Sequence, residues 1–122
     1  MKTINKLFAL LCAVIAMQTV SAQSGKENIN SRVQTQTLKV YGECGMCKSR
    51  IEKAALLVKG VQTASWNIDS KVLTIKYDQF KKETVESVGK KLAAVGHDTD
   101  KYKAEDVAYS NLPDCCHYSR KQ

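Results

Sequence analysis

The amino-acid sequence predicts an α+β fold, on three observations. Runs that alternate polar and apolar residues, or are rich in β-branched and aromatic ones, read as strands. Two longer runs carry apolar residues at three-and-four spacing and read as helices. The two kinds follow one another as strand, helix, strand, strand, helix, within a length that supports one domain around one modest core.

The first strand is carried by Thr37-Leu38-Lys39-Val40-Tyr41, whose alternation puts Leu38 and Val40 on one face; Cys44 falls in the loop after it. From Cys47 to Val58 the stripe Ile51, Ala54, Ala55 and Val58 marks a helix with Lys48, Arg50, Glu52 and Lys53 outward, and Gly60 is its stop signal. Val61 to Ile68 and Val72 to Tyr77 read as two strands, with Asp69-Ser70-Lys71 closing the hairpin and Trp66 in or beside the core. Val85, Val88, Leu92 and Val95 mark a second helix, with Thr84 as its N-cap and Gly96 after its last apolar position. His97 to Ala104 offers a last strand, so polar that it belongs at an edge. The tail, residues 104–122, contains Leu112, Pro113 and the run Cys115-Cys116-His117-Tyr118 and shows no period of its own. Tyr41, Tyr77 and Tyr102 read as sheet aromatics.

Lys2 and Lys6 flank a start that runs into the apolar stretch from Leu7 to Met17 and then into Val20-Ser21-Ala22. This predicts a cleavable signal peptide over residues 1–22, too short to cross a bilayer as a stable helix, with no stable membrane insertion after cleavage. The mature protein is then periplasmic or secreted. Cys12 follows Leu11, where lipid attachment would want a small residue, so it leaves with the signal. Residues 23–36 are mostly polar and read as a flexible tether. The net charge is +7. The lysines are spread without interleaved aromatics, which speaks for a solvated surface and against nucleic acid, and leaves acidic protein surfaces as compatible partners.

Four cysteines remain after cleavage, as the close pairs Cys44 with Cys47 and Cys115 with Cys116. An exported protein would ordinarily use cysteines in disulfides that tie distant segments together. Close pairs fit metal ligation or redox work instead, and composition leaves both open. Cys-x-x-Cys across a strand-to-helix junction puts one sulfur in the loop and one on the first helical turn, within reach of one ion. The helix dipole and unpaired N–H groups there favour the thiolates that a metal binds, and Lys48 and Arg50 add positive charge. Thiolates select Cu(I), Zn(II) or Hg(II) over Mg or Ca. A two-sulfur seat suits the low coordination numbers of Cu(I) and Hg(II), whereas structural zinc wants four ligands.

Leu38-Lys39-Val40-Tyr41-Gly42-Glu43-Cys44-Gly45-Met46-Cys47, leading into Ile51, resembles the opening of a heavy-metal-associated domain, and the resemblance covers about residues 36–103. It implies a ferredoxin-like βαββαβ sandwich: an antiparallel sheet with two helices on one face. Members of the family include copper chaperones, the N-terminal modules of copper-transporting ATPases and periplasmic mercury-binding proteins. Gly60-Val61, Val72 to Tyr77-Asp78 and Val95-Gly96-His97 match later landmarks. The departure is Gly42, where the family usually has a methionine packed beneath the loop; Met46 is not its equivalent.

The resemblance implies an exported metallochaperone or metal scavenger that holds Cu(I), with Zn(II) or Hg(II) as alternatives, through Cys44 and Cys47. A metal-transporting ATPase or another metal-binding domain is its expected partner. It further implies that the loop bearing His97 lies beside the metal loop, so His97 is either a further ligand or an exposed loop histidine. Cys115, Cys116 and His117 lie outside the resemblance. The two cysteines either form a vicinal disulfide or bridge to Cys44 or Cys47, or else the tail folds back and adds thiolates to the first site or builds a second one. No catalytic base or substrate pocket is evident, so an enzyme is not expected. The rivals are a thiol-disulfide oxidoreductase and a disulfide-stabilised interaction module. A thioredoxin-like redox domain would want a different element order and a cis-proline facing the pair, whereas the single proline, Pro113, adjoins the other cysteine cluster.

Overall fold

The computed structural model describes residues 32–81 and 83–120; the expected signal peptide and the tether up to residue 31 lie outside them. Strands β1 (Val33–Lys39), β2 (Val61–Trp66) and β3 (Val72–Asp78) form an antiparallel sheet in the order β1-β3-β2, with helices α1 (Gly45–Leu56) and α2 (Thr84–Ala94) packed on it. The α+β class and the ferredoxin-like element order are those expected. β1 starts at Val33, inside the stretch read as tether, because pairing with β3 from Val33↔Asp78 onward compensates for a polar sequence.

Leu38 lies opposite Leu73 and Gln36 opposite Ile75, while Trp66 and Ala64 meet the same two residues from the other side. Leu73 and Ile75 are fully buried beneath Ile51, Ala54 and Ala55 of α1 and Val88 and Leu92 of α2, the two stripes read from the sequence. Each such large apolar side chain contributes about 1.5–3 kcal/mol by leaving water. The β2–β3 hairpin closes on Asn67, whose Oδ1 accepts the N–H groups of Asp69 and Ser70 at 2.9 Å. Thr84 is the first residue of α2 and not its cap; its hydroxyl donates to the Lys59 carbonyl at 3.2 Å.

The expected last strand reduces to one bridge, Val40↔Thr99, with the Tyr41 N–H donating to the Asp98 carbonyl at 2.9 Å. A local turn wins beyond it. Thr99 N–H donates to the Tyr102 carbonyl at 2.8 Å, and Thr99 Oγ1 accepts the Tyr102 N–H at 2.9 Å, so the groups a ladder would use are already paired.

The tail is structured where the sequence offered no period. Helix α3 (Asp106–Ser110) leads to one 3-10 turn, Asp114–Cys116. Gly96, at φ 102°, ends α2, and a Cβ there would lie 2.7 Å from the Ala108 carbonyl, so glycine serves both the turn and the close approach of α3. Tyr118, 2 % exposed, anchors the end of the tail: its hydroxyl donates to the Gly96 carbonyl at 2.8 Å and accepts the Asp98 N–H at 2.7 Å. Arg120 forks onto both Asp98 carboxylate oxygens at 2.8 and 2.9 Å.

Candidate metal centre

β1 runs through the buried Val40 into the loop Tyr41-Gly42-Glu43 and delivers Cys44 at the N-cap of α1 in extended conformation (φ −135°, ψ 176°). Its carbonyl accepts the Lys48 N–H at 3.0 Å. Two or three residues into the helix, N–H groups have no partner of their own within it. Cys47 sits there, fully buried, and its Sγ accepts the Glu43 N–H at 3.5 Å. The two sulfurs are 3.6 Å apart.

Beneath the loop lies Trp66, its Nε1 donating to the Val40 carbonyl at 3.1 Å. A Cβ at Gly42 would stand 3.1 Å from the Trp66 ring and 3.1 Å from the Cys47 Cβ. The tryptophan thus fills the space beneath the loop, which is why the side-chain-free residue stands where the family usually has methionine.

The tail brings the second cysteine pair to the first. Cys115 Sγ lies 3.1 Å and Cys116 Sγ 3.4 Å from Cys44 Sγ, and these three sulfurs are all within 4.8 Å of one another. Cys116 is fully buried and accepts from Arg50 Nη1 at 3.4 Å; Cys115 is exposed and lies 3.5 Å from Met46 Sδ. Among the described residues Cys44, Cys47, Cys115 and Cys116 are all free thiols, the separations given being well beyond a disulfide bond of about 2.05 Å. Lys48, expected to add charge here, instead bonds to Glu52 and the Trp66 carbonyl; Arg50 is the cation at the sulfurs.

Neither histidine joins this group. His97 is fully buried, not exposed: its Nδ1–H donates to the Tyr41 carbonyl at 2.8 Å and its ring stacks on Tyr118 at 5.8 Å. Its Nε2 has no hydrogen-bond partner. His117 is exposed and packs on Tyr109 with ring centroids 5.1 Å apart, so the 3-10 turn that brings Cys115 and Cys116 against Cys44 leaves the next side chain turned away from the sulfurs. Sequence reasoning missed Arg120 and the anchoring hydroxyl of Tyr118, whose partners Gly96 and Asp98 are some twenty residues away and follow no local pattern.

The thiols are electrostatically unequal. Partial burial pushes Cys44 up, but hydrogen bonding with the Cys115 sulfur, the Cys47 N–H and the Cys116 and Cys47 sulfurs outweighs it and brings Cys44 down to about 6. Burial, then the Cys116 thiol, drives Cys47 up to about 11. Near neutrality the cluster is one thiolate surrounded by thiols. Such a set suits a soft cation and offers nothing to Mg or Ca.

The sequence profile of the heavy-metal-associated domain matches residues 37–98, which leaves the tail cysteines outside the match. Among solved structures, the CopZ metallochaperone is similar at 30% identity and TM-score 0.51, over 54% of this chain and 98% of that one. A protein from Bacillus anthracis str. Ames, described as copper-ion-binding, shares the fold at 22% identity and TM-score 0.51, over 56% of this chain and 96% of that one. Oxidized MerP from Ralstonia metallidurans CH34 matches at 23% identity and TM-score 0.47, over 55% and 96%. A comparison with curated proteins finds no match.

Proposed function

This chain belongs to the heavy-metal-associated domain family, and from that premise we propose that it is an exported carrier of one soft metal ion, Cu(I), acting as a metallochaperone or scavenger through Cys44 and Cys47. The observation that carries the reading is the sulfur pair at the start of α1, 3.6 Å apart, with Cys44 lowered to about 6 so that a thiolate stands ready at neutral pH. Cu(I) is the ion proposed, with Zn(II) and Hg(II) as alternatives, because the primary seat offers two sulfurs, a set that suits a low coordination number better than the four ligands of structural zinc. Export rests on the signal-like stretch over residues 1–22 and places the protein in a periplasm or outside the cell. A metal-transporting ATPase or another metal-binding domain is the partner such a carrier would serve.

The chemistry is exchange of ligands on an ion, and no bond in a substrate is made or broken. Titration of the reduced protein with Cu(I) against a competing chelator, beside an insulin-reduction assay, tests this reading. Cys44→Ser and Cys47→Ser are each expected to weaken Cu(I) binding at least about tenfold, or about 1.4 kcal/mol. Unchanged affinity in both variants, or thiol-disulfide turnover without metal binding, sinks it.

A further inference from the structure

We infer that the C-terminal tail is part of the metal site, with Cys115 and Cys116 closing on the ion held at Cys44 to turn a two-sulfur seat into a thiolate cage. This rests on the reading that Cys44 and Cys47 bind a soft ion, and adds that the ion is retained.

Geometry is the first support. A thiolate sits about 2.3 Å from an ion such as Zn(II), so three sulfurs around one ion stand about 4 Å apart, and four stand about 3.8 Å apart. Cys44 lies 3.1, 3.4 and 3.6 Å from Cys115, Cys116 and Cys47. Opening Cys44 from each of the two tail sulfurs by less than about 1 Å therefore gives the spacing of a three-sulfur seat, Cys115 and Cys116 themselves lying within 4.8 Å of each other. Each further thiol that coordinates gives its proton to water, and Cu(I) stays Cu(I) throughout.

The second support is that the tail is held by groups that owe nothing to a metal. The Tyr118 hydroxyl is bonded to Gly96 and Asp98, Arg120 forks onto Asp98, and the Tyr109 hydroxyl donates to the Tyr118 carbonyl at 2.7 Å. Arg50 from α1 meanwhile aims its guanidinium at Cys116. The tail thiols are thus preorganised at the ion's position, where a tethered ligand acts at an effective concentration of the order of millimolar or above. An acceptor's thiolate must then displace sulfur that stays beside the ion, which slows transfer and raises affinity.

The test loads reduced full-length protein with Cu(I) alone and compares it with Cys115→Ser, with Cys115→Ser/Cys116→Ser and with Cys44→Ser. Cys115 is exposed, so its single variant leaves the core intact. X-ray absorption should count at least three sulfurs in the full-length protein, one fewer in Cys115→Ser and two in the double variant. Cu(I) affinity should fall at least about tenfold in the double variant, with faster transfer to a Cys-x-x-Cys acceptor domain. Two sulfurs and equal affinity in full-length protein and both tail variants, with Cys44→Ser still impaired, overturn the cage alone. An unimpaired Cys44→Ser overturns the primary site as well.

Discussion

Gly42 and Trp66 show one residue dictating another. A Cβ at 42 would meet the Trp66 ring at 3.1 Å, so Gly42→Met, which restores the family's usual residue, should cost about 1–3 kcal/mol by overpacking. A urea midpoint equal to that of the parent protein would show that the ring can yield. Cys44 allows a prediction in pH. Its folded value of about 6 lies below the ordinary 9.0, so the stability from its ionisation is complete above about pH 9 and is lost as pH falls through about 6. Carboxymethylation of the metal-free protein should accordingly show one cysteine whose rate rises through pH 6, mapped to Cys44 by mass spectrometry, while Cys47 stays inert to about pH 11. A single transition near pH 9 for all four cysteines would contradict this. His97 donates to the Tyr41 carbonyl and stacks on Tyr118, so His97→Ala should lower stability and leave the sulfur signature of the bound ion unchanged; a changed ligand shell would make it a ligand.

At the scale of elements, the sequence disclosed what local pattern controls. The stripes Ile51, Ala54, Ala55 and Val88, Leu92 specified both helices, and the Cys44–Cys47 spacing announced its place at a helix start. The region after Asp98 was not legible in the same way. Segment 97–104 turned on Thr99 instead of extending, and the tail docks through hydroxyl, guanidinium and thiol contacts that carry no periodicity. Cys44 and Cys115 touch across 71 positions of sequence, a distance at which spacing says nothing. The anchor can be broken without touching a thiol. Tyr118→Phe leaves the buried Asp98 N–H without its acceptor, a loss of about 1–3 kcal/mol. Amides between residues 106 and 118 should then exchange faster, with those of β1 to β3 unchanged; equal protection in both regions would mean the tail is held by its thiols instead.

For the molecule as a whole, an ion that binds the folded chain and not the unfolded one stabilises it by about 2.7 kcal/mol at a hundred times its dissociation constant. For a domain of this length that amounts to a rise in Tm of the order of 10 °C, which thermal unfolding with and without Cu(I) would reveal. No rise would mean that the ion binds unfolded cysteines equally well. Trp66 makes such loading visible in another way. It is the sole tryptophan in the chain, it is 1% exposed, and both it and Cys47 crowd Gly42 at the base of the metal loop. Its emission comes from a dry place close to Cys47, so loading with Cu(I) should quench it, and unchanged emission at saturation would show that the ring does not sense the ion. With that quenching the protein carries its own optical gauge of occupancy, and filling and emptying can be followed in real time without a dye or a label.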